Sequence, residues 1–334
     1  MTEPLLQTTR LHTWFPIQTG LFSKTTGYVK AVDGIDLTIM HGETLGLVGE
    51  SGCGKSTLGR TIVGLEAPIS GHITFGQHDL SSIYQHPFGH RKVLPVIRRD
   101  IQMVFQDPAS ALNPRMTVEQ LITEGLALHK PRSPEDLRSA AISLLKEVGL
   151  GEQALNRYPH EFSGGQKQRI CVARALSVEP RLVICDESVS ALDVSVQAQV
   201  LNLLMELRDK RDLSYLFITH DLSVVRHIAD RIAVMYLGKI VEIGPAEDIM
   251  TNPVHPYTRA LVSAIPVPMK PHQDRMVLKG DVPSAAEPPS GCRFHTRCPF
   301  ATPRCSTQTP ELLRQSDGRE VACLELDTLP ETHA

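Results

Sequence analysis

A glycine-rich run between an apolar stretch and a helix-like stretch constrains this chain more than any other feature. The run is Gly49-Glu50-Ser51-Gly52-Cys53-Gly54-Lys55-Ser56-Thr57, and it lies between residues 44–48 and residues 58–65. A strand, a glycine loop and a helix in this order are the setting in which the pattern G-x-x-x-x-G-K-[ST] binds nucleotide phosphates. The glycines let backbone N–H groups turn inward, and the helix adds its unpaired donors and its positive dipole end. We expect Lys55 to reach the β- and γ-phosphates and the Ser56 hydroxyl to bind Mg²⁺.

Composition and charge narrow the class of protein. The 334 residues suit one large domain with an appendage, or two domains. The net charge of −3 gives no support for a nucleic-acid partner, which usually requires a basic excess. No apolar run is long enough for a transmembrane helix, and the first ten residues lack the pattern of a secretory signal. We therefore expect a chain that folds in the cytoplasm.

Two adjacent carboxylates end an apolar run at residues 182–187, Leu-Val-Ile-Cys-Asp-Glu. Such a run is typical of a buried strand, and ligands of open α/β sheets gather at the carboxyl ends of strands. Asp186 is suited to binding Mg²⁺ through water, and Glu187 to orienting or deprotonating an attacking water. The alternative is a pair of acids that caps the turn after the strand.

A second candidate anion site is Ser163-Gly164-Gly165-Gln166, at the start of a helix predicted over residues 167–177. A serine and two glycines at a helix start can bind an anion, although they can equally form an ordinary helix cap. Two phosphate-seeking helix ends in one chain suggest that the second serves a nucleotide held by another subunit.

Hydrophobic periodicity predicts an α/β fold. Strands are predicted at residues 29–32, 35–39, 73–75, 101–105, 182–185, 215–219, 232–236 and 240–243. A turn is expected at Asp33-Gly34, and residues 77–100 are predicted to be irregular. Helices are predicted to begin at Thr117 and to cover residues 137–148 and 196–207.

Taken in order, these motifs resemble those of the nucleotide-binding subunits of ATP-binding cassette (ABC) transporters, over about residues 30–245. The resemblance adds a Q-loop at Gln106, a D-loop at residues 190–193 that ends in Asp193, and a switch histidine at His220. It implies a P-loop ATPase core of mixed sheet and helices within residues 1–262, with a helical subdomain at about 112–180. Ser188 departs from the family pattern, which has proline there, so we expect a less rigid turn but intact activity.

Finer features resemble the dipeptide and oligopeptide (Dpp/Opp) importer branch, and are closest to its F-type subunit. They are FQDP at residues 105–108, LNPR at 112–115, SALDVSVQAQ at 190–199 and HPYTRAL at 255–261. The resemblance implies an ATP-hydrolysing subunit, peripheral to the cytoplasmic face of the cell membrane, that energises uptake of peptides or related small solutes. It leaves the cargo open.

The same resemblance implies a head-to-tail dimer with ATP between the glycine loop of one subunit and the Ser163–Gln166 signature of the other. Glu187 would polarise the attacking water and His220 would contact the γ-phosphate. Lys55 would hold phosphate, Asp193 would link the subunits, and the Mg²⁺ and its water would be organised by Ser56, Gln106 and Asp186. The partner ATPase is expected to be a paralogue, although a homodimer fits the same motifs. Two membrane permeases and an extracytoplasmic solute-binding protein complete the implied complex. Tyr28 and Phe22 are the candidates for stacking on adenine, and simple packing is an equal alternative for each.

Four of the seven cysteines cluster after a proline-rich linker at residues 263–290, in an expected module at 291–334. They are Cys292, Cys298, Cys305 and Cys323, and their spacing lacks the C-x2-C pairs common in structural zinc sites. Four thiolates can hold either Zn²⁺ or a [4Fe–4S] cluster, and the resemblance to the peptide-importer branch favours the cluster. Cys53, Cys171 and Cys185 are expected to be packing residues.

Two other classes share the glycine loop. A soluble ABC ATPase of DNA repair or translation usually carries tandem cassettes or a coiled-coil insert, and this chain has one cassette without such an insert. A non-hydrolysing nucleotide-dependent regulator is disfavoured because Glu187 and His220 are both present.

Overall fold

The structure is a computed structural model that describes residues 3–20, 24–85, 92–129, 133–265 and 276–330. Its strands are β1 (Leu6–Thr19), β2 (Lys24–Ile39), β3 (Thr44–Val48), β4 (Ser70–Phe75), β5 (His78–Asp79), β6 (Ile101–Val104), β7 (Leu182–Asp186), β8 (Ser214–Thr219), β9 (Arg231–Tyr236), β10 (Lys239–Pro245), β11 (Leu313–Arg314) and β12 (Glu320–Val321). Its α-helices are α1 (Lys55–Ile62), α2 (Leu80–Gln85), α3 (Leu94–Asp100), α4 (Pro108–Ala111), α5 (Val118–His129), α6 (Pro134–Glu147), α7 (Gly164–Leu176), α8 (Val194–Arg211), α9 (Leu222–Ile228), α10 (Ala246–Thr251), α11 (Pro256–Ser263) and α12 (Pro303–Thr307).

The backbone divides into two compact units. The first contains the described parts of Met1–Ile39, Leu45–Gln85 and Thr219–Ala334, and the second contains those of Met40–Thr44 and His86–Ile218. Each unit combines strands and helices, so the predicted α/β class is confirmed. The domain boundaries expected at residues 262 and 290 remain predictions, and residues 266–275 of the linker lie outside the described residues.

The first unit contains an antiparallel sheet of strand order β2-β1-β4-β5. The turn predicted at Asp33-Gly34 is wrong, because β2 runs through both residues as one strand. Gly34 has a φ of +77°, and the pairing with β1 shifts between Leu11 and His12 at this point. A glycine of positive φ inside a strand marks a β-bulge, which local sequence cannot distinguish from a turn.

The first unit also contains strands in the order β11-β12-β10-β9-β3. β3 pairs with β9 in parallel, whereas β9 with β10, β10 with β12 and β12 with β11 are antiparallel, so the expected mixed pairing is confirmed. All five residues of β3 are buried, as the apolar run predicts for a strand covered on both faces. The carboxyl end of β3 is thereby fixed beside β9, and the glycine loop begins there.

The second unit contains three parallel strands with β7 between β6 and β8. The predicted start of α5 is confirmed, since the Thr117 N–H donates to Gln120 Oε1 at 2.9 Å and the Gln120 N–H donates to Thr117 Oγ1 at 3.4 Å. The irregular structure predicted for residues 77–100 is wrong where α2 and α3 form, because helices of six and seven residues show too little periodicity to predict. Residues 86–91 of that stretch lie outside the described residues.

None of the helices that the structure describes is both long enough and apolar enough to cross a lipid bilayer.

Gly46, in the middle of β3, predicts an energetic cost for any side chain at that position. A Cβ there would lie 2.1 Å from Val225 Cγ1 and 3.1 Å from Ala229 Cβ, and Val225 is fully buried with a stiff, β-branched side chain. We expect Gly46→Ala to lower the free energy of unfolding by about 1–3 kcal/mol through overpacking. Urea denaturation measures the change.

Gly27→Ala is the matched control, because a Cβ at Gly27 would meet its nearest neighbour, Ile17 Cδ1, at 3.6 Å. Its free energy of unfolding should change by no more than about 0.5 kcal/mol. Equal midpoints for the two variants would show that Val225 adjusts without cost.

Candidate nucleotide site

The glycine loop of the first unit runs against two strands. A Cβ on Gly49 would lie 2.2 Å from the Met235 carbonyl oxygen of β9, and a Cβ on Gly54 would lie 1.9 Å from the Ala31 carbonyl oxygen of β2. Gly54 is also the N-cap of α1 with a φ of +110°. Only glycine fits these two positions, because the loop backbone occupies the space that a side chain would need.

Lys55 folds back over this loop and is 4% exposed. Its Nζ donates to the carbonyl oxygens of Gly49 at 2.7 Å and Glu50 at 3.0 Å, and lies 3.9 Å from Cys53 Sγ. Cys53 is buried, which raises the pKa of its thiol, and its carbonyl oxygen accepts from the Gly238 N–H at 2.8 Å. The lysine is therefore held at the loop by backbone acceptors.

Glu50, the second residue of the loop, is held on both sides by residues far along the chain. Its N–H donates to Tyr257 Oη at 2.9 Å. Its carboxylate accepts two hydrogen bonds from Arg297, from Nη1 to Oε2 at 2.7 Å and from Nη2 to Oε1 at 3.1 Å. The sequence offered no sign of Arg297, because only tertiary contact joins residues 247 positions apart.

Tyr257 is in turn held by a buried polar network. The Glu242 carboxylate accepts from the N–H groups of Val254 and His255, both at 2.9 Å. His255 Nδ1 accepts from the Tyr257 N–H at 3.1 Å and caps α11. Burial lowers the pKa of His255 to about 3, so the ring is neutral and one nitrogen is free to accept. The HPYTRAL motif thus sets the position of the hydroxyl that holds Glu50.

The hydrolytic candidates of the second unit meet at the carboxyl ends of β6 and β7. The register pairs Val104 with Cys185, and Gln106 and Glu187 each lie two residues beyond this pair. Gln106 Nε2 donates to Glu187 Oε2 at 2.8 Å. Asp186, directly before Glu187, is 2% exposed. The structure therefore brings together two of the residues predicted for hydrolysis.

The turn that carries Glu187 is closed by hydrogen bonds. Glu187 has a φ of +45°, a conformation that costs a non-glycine residue about 1–2 kcal/mol. Its N–H donates to the Ile218 carbonyl oxygen at 2.9 Å, and its own carbonyl oxygen accepts from Ser190 N at 3.1 Å and Ser190 Oγ at 2.8 Å. Ser188, where the resemblance leads us to expect proline, lies in this turn and is 3% exposed.

The signature residues form a reciprocal cap at the start of α7. Gln166 N–H donates to Ser163 Oγ at 3.4 Å, and Ser163 N–H donates to Gln166 Oε1 at 3.0 Å. A Cβ on Gly165 would lie 2.3 Å from Val196 Cγ1 of α8, so a glycine lets the two helix starts pack together. The helix cap considered from the sequence is present, and Ser163 and Gly164 are exposed beside it.

Asp193 and His220 are placed at the ends of elements. Asp193 is exposed and caps α8, accepting from Val196 N–H at 3.0 Å and Ser195 Oγ at 2.8 Å; these bonds hold its pKa below the usual range. His220 is exposed and follows β8.

Of the two candidates for stacking on adenine, Tyr28 is 43% exposed and packs near Trp14 at 6.0 Å between ring centroids, and Phe22 lies outside the described residues.

The iron–sulfur prediction is contradicted. Among the described residues, no group of three or more His, Cys, Asp or Glu side chains is arranged to hold a metal ion, which applies equally to zinc. The four late cysteines, Cys292, Cys298, Cys305 and Cys323, line a cavity of about 20 Å³, space for about one water molecule. Burial raises the pKa of Cys292 and Cys298 to about 11, so both thiols are neutral at pH 7 in the metal-free chain. Cys53, Cys171 and Cys185 are buried, as predicted for packing residues.

Two family profiles match separate parts of this chain. A profile of the ABC transporter family matches residues 32–190, and a profile of the oligopeptide/dipeptide transporter C-terminal region matches residues 241–305. The chain is 50% identical over 324 residues to the oligopeptide transport ATP-binding protein AppF of Bacillus subtilis, covering 96% of this chain and 97% of AppF. It is 48% identical over 331 residues to OppF of Escherichia coli, covering 97% of each chain. The dipeptide transport ATP-binding protein DppF of Haemophilus influenzae is 45% identical over 326 residues, with 97% of each chain covered.

Two solved structures show the same fold. One is CbiO1 from Clostridium perfringens, part of the ABC transporter complex CbiONQ, with a TM-score of 0.61 and 28% identity over 74% of this chain and 91% of that one. The other is the ATP-binding cassette MJ0796, a dimer in a post-hydrolysis state with ADP and Pi. Its TM-score is 0.62 and its identity 26%, over 72% of this chain and 98% of that one. An ATP-binding cassette fold is thereby confirmed.

His255 predicts an acid-sensitive step in stability. Its pKa is about 3 when folded and 6.5 as the reference for the unfolded chain, so the unfolded chain binds the extra proton between these values. Stability from this group is therefore present above pH 6.5 and falls as the pH falls toward 3. We expect a loss of about 2 kcal/mol in the free energy of unfolding between pH 7.5 and pH 5.0.

His255→Asn keeps an acceptor for the Tyr257 N–H and removes the titration. Urea midpoints at the two pH values should differ less for this variant than for the wild type, because Glu242 and the other titrating groups are common to both proteins. An identical pH dependence in the two proteins would contradict the assignment.

Proposed function

The chain belongs to the ABC transporter family, in its oligopeptide and dipeptide branch, and from this premise we propose how its residues act. It is an ATPase, the ATP-binding subunit of an importer that takes up di- or oligopeptides or related small solutes. Near-complete coverage of peptide-transport subunits supports this function, and a match to the branch's C-terminal region adds to it. The alternatives of a soluble ATPase or a regulator receive no support from these matches.

The observation that carries the hydrolytic assignment is the 2.8 Å hydrogen bond from Gln106 to the Glu187 carboxylate. It orients the carboxylate that we place beside the attacking water. Glu187 then accepts the proton that water loses on attacking the γ-phosphorus, which is the role of a general base. Gln106 lies on an exposed segment after β6. A displacement of that segment would therefore break the hydrogen bond from Gln106 to Glu187.

Lys55 and the loop amides hold the phosphates in this proposal. The lysine makes two bonds to backbone carbonyls, and its third N–H lies toward Cys53 Sγ, a weak acceptor that a phosphate oxygen can replace. Positioning and charge stabilisation of this kind supply most of the catalysis in phosphoryl transfer. When bound, Mg²⁺ supplies further charge neutralisation. Ser56, Gln106 and Asp186 remain its predicted ligands because each offers the hard oxygen donor that Mg²⁺ prefers.

The signature and D-loop serve the partner ATPase in this proposal. Ser163 and Gly164 are exposed at the start of α7, and Asp193 is exposed at the start of α8, with Val194 beside it 83% exposed. MJ0796 was solved as a dimer, which supports a two-subunit assembly for this chain. We further propose a paralogous ATPase as partner, two membrane permeases, a solute-binding protein and a peripheral location on the cytoplasmic face, with His220 sensing the γ-phosphate.

Glu187→Gln tests the hydrolytic assignment. In the assembled complex we expect kcat to fall by at least about 100-fold, because glutamine keeps the shape of the site and cannot take the proton. The Kd for ATP should change by less than about threefold, since phosphate contacts are made elsewhere. Phosphate release and nucleotide binding are measured on the same preparation.

Glu206→Gln is the control, a carboxylate change on the exposed face of α8. It should leave both values unchanged. Turnover of Glu187→Gln within about tenfold of wild type would remove Glu187 from the role of base.

Reconstitution tests the transport function itself. Vesicles that carry the complex should accumulate labelled di- or oligopeptides only when ATP is present, because hydrolysis drives the cycle. The Glu187→Gln complex should accumulate none above background. ATP hydrolysis without uptake of any peptide would contradict the peptide cargo while leaving the ATPase assignment intact.

A further inference from the structure

A carboxylate in the phosphate loop poses an electrostatic problem. The site must attract the negatively charged phosphates of ATP, and Glu50 places another negative charge at the second residue of the glycine loop. The problem is solved at Glu50 itself, where Arg297 binds both carboxylate oxygens side by side, at 2.7 Å and 3.1 Å. A paired guanidinium neutralises the carboxylate and holds its orientation at the same time.

Arg297 is built into its position. Its side chain is 8% exposed, and its guanidinium carbon lies 5.9 Å from the centre of the Tyr236 ring. The hydrogen bonds to Glu50 raise the pKa of Arg297, so the charge is retained. The rings of Tyr236, Tyr257 and Phe294 pack together with centroids 4.7–5.4 Å apart. The arginine therefore rests on a rigid aromatic base.

The backbone of Glu50 is anchored to the same base. Its N–H donates to Tyr257 Oη at 2.9 Å, and Tyr257 is fully buried. Its carbonyl oxygen accepts from Lys55 Nζ at 3.0 Å and from the Cys53 N–H at 3.3 Å. A shift of the aromatic base would thus be passed to the loop through Tyr257 and Arg297 together.

We propose that Arg297 and Tyr257 are positioning residues of the nucleotide site, through which the C-terminal region sets the affinity for ATP. Arg297 removes the repulsion between Glu50 and the phosphates, and Tyr257 holds the loop in its phosphate-binding path. The inference rests on the proposed ATPase function, because it concerns the nucleotide of that reaction. It assigns a role in ATP binding to a segment that lies outside the glycine-loop, signature and carboxylate motifs.

The test compares MgATP affinity in the full-length chain and the KM for ATP in the assembled complex. Arg297→Gln should raise the Kd for MgATP and the KM for ATP about tenfold each while kcat changes less than about threefold, because an unpaired carboxylate weakens binding of the anion rather than the chemical step. The loss should shrink as salt is added, since the repulsion is screened. Tyr257→Phe should weaken binding about threefold by leaving the Glu50 N–H without its acceptor.

The double variant Glu50→Gln/Arg297→Gln separates this role from general packing. Removing both charges removes the repulsion, so affinity should return to within about threefold of wild type. A merely structural role for Arg297 would leave the double variant as weak as the single one. Arg304→Gln is the control, a change in the same segment at a side chain that is 60% exposed and 3.9 Å from Glu325, and its affinity should equal that of wild type.

Arg297→Lys covers the case in which Arg297→Gln does not fold. It keeps the charge and loses the paired geometry, so its affinity should stay within about threefold of wild type. Unchanged ATP affinity in Arg297→Gln, or no recovery in the double variant, overturns the inference. A wild-type chain that binds no ATP would instead contradict the proposed function.

Discussion

The phosphate loop depends on backbone lying directly against backbone. At Gly49 and Gly54 a Cβ would come within 2.2 Å and 1.9 Å of carbonyl oxygens on β9 and β2. The loop can pass between these strands only where it carries no side chains. This contact sets the start of α1 and with it Lys55, whose ammonium group returns to the carbonyl oxygens of the loop. The positions of Lys55 and of the loop amides, which are expected to meet phosphate, follow from this close approach.

The charges around the loop make the C-terminal region part of the same arrangement. Arg297 pairs with Glu50 in the loop, and four residues earlier Arg293 pairs with Asp33 on β2 and donates to the Leu237 carbonyl oxygen. Both arginine side chains are less than a tenth exposed, and each has a carboxylate to offset the cost of burial. A segment that follows the strands of the cassette thus supplies buried counter-charges to the residues around the nucleotide site.

In the second unit, the parallel register of β6 and β7 positions the hydrolytic residues, just as glycine packing positions the loop in the first unit. Gln106 and Glu187 are 81 positions apart in sequence and meet at 2.8 Å because β6 and β7 are neighbours. The signature motif differs because its polar groups already hydrogen-bond to each other. Ser163 and Gln166 satisfy each other across the start of α7, so a partner's nucleotide would exchange existing hydrogen bonds rather than fill empty ones.

Local patterns determined much of this protein from the sequence alone. The glycine loop, the buried strands and the caps at Thr117 and Ser163 were predictable because each depends on residues within a few positions. Tertiary structure alone decided that Gly34 forms a bulge and that the late cysteines line one small cavity. Tertiary structure also decided that Arg297 reaches Glu50. These outcomes depend on which distant segments come into contact. The spacing of residues along the chain does not show that two residues 247 positions apart touch each other.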